Sequence, residues 1–341
     1  MARKTQQNSI TNPELIAQIN PENIRLLEDF LMYLKSTQKS DKTIKGYRND
    51  LEIFFCWNIN NANNKFFIDI NKRDIIAYQN FLLYTNNNSP ARIRRLKATL
   101  SSLSNYICNV LDDVYLNFKN VINKIENPKN QPVREKTVIE EEQLNFIFET
   151  LKEKGKFQIL CATALAAFSG SRKSELVRFK VDFFKDENVI LGSLYKTPKI
   201  KTKGRSGGKF INKFVLKNEF KPYLDLWLNQ REKLGINSEW LFVSKNKNGE
   251  WEQLKAETLN SWALTLSKIA GLDIYFHSFR HLWTTSLVKK GLPNNVIKDL
   301  TGWESELMCG IYTDLSEEDT FSKYFDENGI KKIEKKSLTD L

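Results

Sequence analysis

Apolar residues recur three and four positions apart in four stretches of the first 125 residues. In INPENIRLLEDFLMYLKS, Ile24, Leu27, Leu31 and Leu34 share one face, Asn20 can cap the helix and Pro21 can open it. A second helix follows Ser40 and Asp41, with Ile44, Tyr47, Leu51 and Phe54 turned inward and Lys42, Lys45 and Arg48 largely opposite. A third is predicted from Lys72 to Tyr84. A fourth, after Pro90, buries Ile93, Leu96, Leu100, Leu103 and Ile107 and crowds Arg92, Arg94, Arg95 and Lys97 at its start. Residues 19–125 therefore read as a small helical bundle, preceded by a flexible tip over 1–18.

IENPKNQPVREKT, residues 125–137, has two prolines, several polar residues and no apolar period, so 126–137 is predicted as an interdomain linker. A second domain is expected over 138–313. Its pattern predicts helices at about 140–152, 156–168 and 173–178, then three strands in VDFF, NVILGSLY and KFINKFVL, the last after a turn at GRSGG. Helices resume at about 221–234, 255–270, 278–290 and 293–301. The fold class is mainly α with a small antiparallel β-sheet (α+β). A tail follows over 314–341, where Phe321, Tyr324 and Phe325 stand at helical spacing.

The length, 341 residues, suits two domains, and 41% apolar content argues against a disordered chain. No apolar run reaches the roughly 18–20 residues of a membrane span, and the start lacks a signal-peptide core. A cytoplasmic, nucleoid-associated protein without membrane contact is expected. The net charge of +11 favours a polyanionic partner, most often nucleic acid. Genomic base bias also enriches lysine, so charge positions weigh more than their sum. Four scattered cysteines form no Cys-x-x-Cys pair and read as buried or idle thiols.

Candidate chemistry begins at YFHSFRHLWTTSL, which holds both histidines of the chain. If residue 277 opens a helix, His277 and Arg280 emerge on one side of its first turn, suited to a phosphate. FSGSRKSELV places Arg172 just after a turn, with Glu175 near enough to hold a neighbouring group. Residues 196–217 carry eight lysines and arginines and no acid, on a hairpin able to enter a groove; Lys196, Lys201, Lys203 and Arg205 lie in it. Trp303 offers an N–H and no acceptor, and Tyr312 follows nine residues later. Taken singly, each has a bland explanation: a surface arginine beside a core histidine, lysines protecting an exposed strand edge, a half-buried packing tyrosine.

Together and in order, Arg172, a hairpin lysine, His277-Ser-Phe-Arg280, Thr301-Gly302-Trp303 and Tyr312 resemble the tyrosine recombinases, the phage-integrase family of site-specific DNA recombinases. The resemblance spans nearly the whole chain, by motif in the second half and by architecture alone in the first, where it implies a core-binding, SAM-like bundle. It implies that Tyr312 is the nucleophile, that Arg172 and Arg280 hold the scissile phosphate, and that His277 assists as acid or base. Trp303 stands where most members carry a second histidine; it can donate a hydrogen bond but cannot shuttle a proton. Lys201 is the preferred general acid, with Lys196 and Lys203 as alternatives.

The resemblance further implies a covalent 3′-phosphotyrosine intermediate, with no metal, ATP or other cofactor. The expected partners are double-stranded DNA and three further copies, a homotetramer on two DNA sites, with the tail docking on a neighbour or packing in cis. Room remains for an accessory DNA-bending or directionality factor. Lys42, Lys45, Arg48, Arg94, Arg95 and Lys97 are expected to meet phosphates, alongside the hairpin residues. Type IB topoisomerase-like relaxation and a catalytically silent DNA-binding regulator stay open as alternatives. Zinc held by His277 and His281 fits poorly, since no glutamate accompanies them and Arg280 repels a cation.

Overall fold

Side chains cap the first helices where the sequence places them. In the computed structural model, which describes residues 10–129, 137–202 and 209–312 and the backbone of 325–326 and 329–330, Asn20, Ser40 and Ser89 accept hydrogen bonds from the N–H groups of Glu22, Thr43 and Arg92. They open helices α2 (Pro21–Ser36), α3 (Asp41–Asn61) and α5 (Pro90–Val110). Before them, Asn12 caps a short helix α1 (Pro13–Ala17), and Ile10, Leu15 and Ile16 pack on the bundle core. Part of the expected flexible tip is thus ordered, because those three apolar side chains find a surface to cover. Helix α4 (Lys72–Asn80) continues directly into a π-turn over Phe81–Thr85, so the helical run covers the predicted Lys72–Tyr84.

The chain forms two compact units, one within 10–129 and the other within 137–312. Leu27, Phe30, Leu51, Phe54, Leu100 and Ile107, all but excluded from solvent, anchor the core of the first. Burial is worth roughly 1.5–3 kcal/mol for each such side chain. The basic start of α5 departs from expectation. Lys97 is buried, and its ammonium donates to Gln79 Oε1 (2.8 Å) and to the carbonyls of Ile125 (2.9 Å) and Glu126 (3.1 Å). Arg94 Nε donates to the Pro128 carbonyl at 3.0 Å. The opening residues of the predicted linker are therefore fastened to the bundle, and Lys97 is removed from the candidate phosphate contacts. Residues 130–136 lie outside the described residues.

The second unit is built on α7 (Phe157–Ser169), buried from Leu160 to Ala167 and packed against α6 (Glu141–Glu153), α9 (Lys217–Lys233) and α11 (Ser278–Lys289). The remaining helices are α8 (Lys173–Leu176), α10 (Thr258–Ala270), α12 (Asn294–Thr301) and α13 (Leu307–Tyr312). VDFF is a 3-10 turn, Val181–Phe184, rather than a strand, and it tucks Phe183 and Phe184 into the core. NVILGSLY holds two strands, β1 (Val189–Ile190) and β2 (Leu194–Lys196), around a turn with Leu191 and Gly192 at positive φ.

KFINKFVL likewise divides. Strand β3 (Ile200–Thr202) pairs with β4 (Lys209–Ile211), whereas β5 (Phe214–Leu216) pairs with β2. Between them, Asn212 Nδ2 donates to the Thr197 carbonyl and Lys213 N–H donates to Thr197 Oγ1, which hands the chain from one sheet to the next. A further hairpin, β6 (Val243–Lys245) with β7 (Trp251–Gln253), is missing from the sequence-based expectation, because its polar Lys-Asn-rich turn reads as loop. Strands β8 (Phe325–Asp326) and β9 (Gly329–Ile330) pair where helical spacing was expected; Phe321 and Tyr324 lie outside the described residues.

Candidate active site

Helix α11 begins immediately after His277, so His277 and Arg280 leave its first turn on the same side. His277 Nε2 lies 2.9 Å from Tyr312 Oη, on the last residue of α13. The Tyr312 ring is held on two sides, by Trp303 at 5.0 Å between centroids and by His281 at 4.7 Å. Gly302, at φ +71°, ends α12 in the left-handed conformation and turns Trp303 back toward this cluster. The Arg280 guanidinium lies 5.0 Å from the Trp303 ring centre and 5.7 Å from that of Tyr312.

Arg280 is fully buried, and two backbone carbonyls hold its guanidinium. It donates to the Gly170 carbonyl at 2.6 Å and to the Thr301 carbonyl at 3.2 Å. Its Nε, like the indole N–H of Trp303, has no hydrogen-bond partner among the described residues. Arg172 precedes α8 and is steered by Glu175: its N–H and one guanidinium nitrogen each reach a Glu175 oxygen at 2.9 Å. Glu175 also accepts from the Thr202 hydroxyl and pairs with the buried ammonium of Lys213 at 3.3 Å.

The charges of this cluster do not cancel. Burial, then the charges of His281, Arg280 and Arg172, push His277 down to about 4. Arg280 is lowered to about 10 by burial and by Arg172. Lys213 falls to about 8, because burial, with help from Arg280 and Arg172, outweighs the pull of Glu175. Burial works to raise Glu175, but Lys213, Thr202 and Arg172 together hold it at about 2. Arg172, Arg280 and Lys213 thus bring three cationic side chains to one carboxylate, and an anion entering the cluster relieves their mutual repulsion.

The second unit matches the model of the phage integrase family over residues 137–319, and residues 26–113 match the N-terminal SAM-like domain of phage integrases. The chain belongs to the phage integrase family. It is a tyrosine recombinase, an enzyme of site-specific DNA recombination. The SPbeta prophage-derived recombinase-like protein YomM of Bacillus subtilis (strain 168) is 31% identical over 281 residues, 80% of each chain. Tyrosine recombinase XerA of Pyrococcus horikoshii is 25% identical, over 85% of this chain and 89% of its own. The XerH site-specific recombinase bound to palindromic difH substrate shares the fold, with a TM-score of 0.63 at 20% identity over 87% of this chain and 82% of its own.

Of the residues singled out in this recombinase's sequence, Arg172, His277, Arg280, Trp303 and Tyr312 form one connected cluster with Glu175. Lys201 stands on the exposed side of β3, between buried Ile200 and Thr202, so its strand joins the cluster while its side chain faces solvent. Lys196, at the end of β2, is also exposed, and Lys203 and Arg205 lie outside the described residues. In the first unit Lys42 and Lys45 are exposed on α3. Arg48 is committed to a two-pronged bond with Glu28, both contacts at 2.7 Å, and Arg95 bonds Asp50. Lys213 and Thr202 are absent from the sequence-based site, and Thr301 enters it only as part of the Thr-Gly-Trp motif, without a role. In the predicted strand KFINKFVL, Lys213 shares its parity with the apolar Ile211 and Val215, which is the signal that marks it as inward-facing.

Proposed function

We propose that Tyr312 is the nucleophile of strand exchange and that Arg172 and Arg280 hold the scissile phosphate. The surplus of buried positive charge beside the His277–Tyr312 hydrogen bond carries this reading. Neutral His277 accepts the phenol proton as Tyr312 Oη bonds to phosphorus. The bond from phosphorus to the 5′ oxygen breaks, and Lys201 supplies the proton to that leaving oxygen. The guanidiniums, with the Trp303 N–H, stabilise charge on the remaining phosphate oxygens, where one such donor is typically worth roughly 100-fold to 1,000-fold in rate.

The product is a 3′-phosphotyrosine ester. It retains the free energy of the phosphodiester, so a 5′ hydroxyl from another duplex reverses the step without ATP, and the arginines supply the charge stabilisation a metal would otherwise give. Two duplexes present four strands, and each chain offers one Tyr312, so the full exchange takes four copies on two DNA sites. The first unit, through Lys42 and Lys45, and the hairpin of the second, through Lys196 and Lys201, meet phosphates of duplex DNA. XerH in its post-cleavage complex with difH supplies the precedent for DNA as substrate on this fold.

The test mixes purified protein, in chelator and without nucleotide, with two labelled duplexes that carry the DNA flanking its gene. Recombinant duplexes are expected. Specific binding without any exchanged strand would favour a DNA-binding regulator instead.

A further inference from the structure

Lys213 is fully buried, and its side chain belongs to neither of the roles assigned above. Its ammonium pairs with Glu175 at 3.3 Å and donates to the Thr301 carbonyl at 3.4 Å. Glu175 is the group that aims Arg172, and the Thr301 carbonyl is one of the two acceptors that fix Arg280. One ammonium therefore bridges the supports of both arginines.

Lys213 lies in the link between β4 and β5, and β4 reaches the same turn twice more. Lys209 pairs with Glu304 at 3.6 Å, and Ile211 packs on Gly302, so residues 209, 211 and 213 face 304, 302 and 301 in turn. Thr202, beside Lys201 on the paired strand β3, closes the network by donating to Glu175.

A buried ammonium between two arginines is a poor way to stabilise a core, since an apolar side chain of similar length usually packs there at less cost. The charge acquires a purpose if it sets geometry. We propose that Lys213 is a positioning residue that fixes the separation of Arg172 and Arg280 around the scissile phosphate. It does not donate the proton to the leaving group, because its ammonium is enclosed and already directed at Glu175 and Thr301. This inference rests on the strand-cleavage reading above.

Two cleavage substrates separate positioning from proton donation. One carries the ordinary 5′ oxygen at the cut. The other carries a bridging 5′ sulfur, which departs as a thiolate when the bond from Tyr312 Oη to phosphorus forms and needs no proton. Lys213→Met is expected to slow covalent adduct formation about 100-fold on both substrates, the loss typical of reacting groups displaced by about 1 Å. Lys201→Ala is expected to be slow on oxygen and restored on sulfur. DNA affinity should stay within about twofold of wild type in both.

Lys213→Met leaves Glu175 without its main partner, so Lys213→Met/Glu175→Gln, which removes both charges, serves as the second variant. It should melt closer to wild type than Lys213→Met and remain slow on both substrates. The inference is overturned if Lys213→Met cleaves at the wild-type rate, if sulfur restores it as it restores Lys201→Ala, or if the double variant regains wild-type speed. A wild-type protein that forms no adduct on either substrate overturns the cleavage reading itself, and this inference with it.

Discussion

His277 Nε2 and Tyr312 Oη sit 2.9 Å apart although 35 positions separate them in the chain. The contact joins the start of α11 to the end of α13, and burial keeps the imidazole neutral at physiological pH, so the ring nitrogen is available to the phenol. His277→Ala should slow adduct formation by about 100-fold to 10,000-fold, the usual worth of a general acid–base group, with DNA affinity little changed. Single-turnover cleavage on a nicked duplex measures it. A loss below tenfold would remove the proton-accepting role.

Acid stability follows from the same burial. The folded pKa of His277, about 4, lies below its ordinary value of 6.5, so the unfolded chain binds the extra proton first. Stability therefore falls as pH drops from 6.5 toward 4. Glu175, held at about 2 against an ordinary 4.5, adds stability present above 4.5 and lost between 4.5 and 2. Its full contribution is on the order of 3 kcal/mol. Urea titrations at pH 7, 5 and 3.5 should show a declining midpoint, and His277→Gln should lessen the decline most between pH 7 and 5 and less between pH 5 and 4, leaving the loss that belongs to Glu175.

Gly302 combines positive φ with a close neighbour: a Cβ there would collide with Ile211 Cδ1. Gly302→Ala should cost about 1–3 kcal/mol of backbone strain plus the displacement of Ile211, and should slow cleavage by shifting Trp303. Gly192, also at positive φ but facing open space, is the control. Gly192→Ala should lower the denaturation midpoint less and leave cleavage unchanged.

Helical periodicity made most of the bundle legible, since Leu51, Phe54, Leu96, Leu100 and Ile107 are buried where a 3.6-residue period puts them. The His277, Arg280 and Tyr312 contacts were foreshadowed by motif order, not by pattern. Lys97 was misjudged because periodicity assigns a face, whereas its acceptors, the Ile125 and Glu126 carbonyls, come from distant sequence. Lys213 escaped notice for the same reason. Nothing local shows that Glu175, 38 positions earlier, lies beneath it.

Lys45 and Lys97, one exposed and one buried in the first unit, give opposite expectations for DNA binding. Lys45 is exposed on α3, and Lys45→Ala should weaken affinity and reduce the slope of log affinity against log salt by about one. Lys97→Met should leave that slope unchanged and instead cost about 1.5–3 kcal/mol of stability, because it strips a charged donor from three acceptors. Binding titrations from low to physiological salt, paired with urea melts, separate the two effects.

The central claim is that Tyr312 bonds covalently to DNA. Wild type and Tyr312→Phe, each incubated in chelator with nicked duplexes of the DNA flanking the gene, should bind the DNA equally. Wild type alone should then yield an adduct that survives denaturation, with the label on the peptide containing Tyr312. An adduct formed equally by Tyr312→Phe, or specific binding by wild type with no adduct at all, would contradict the account.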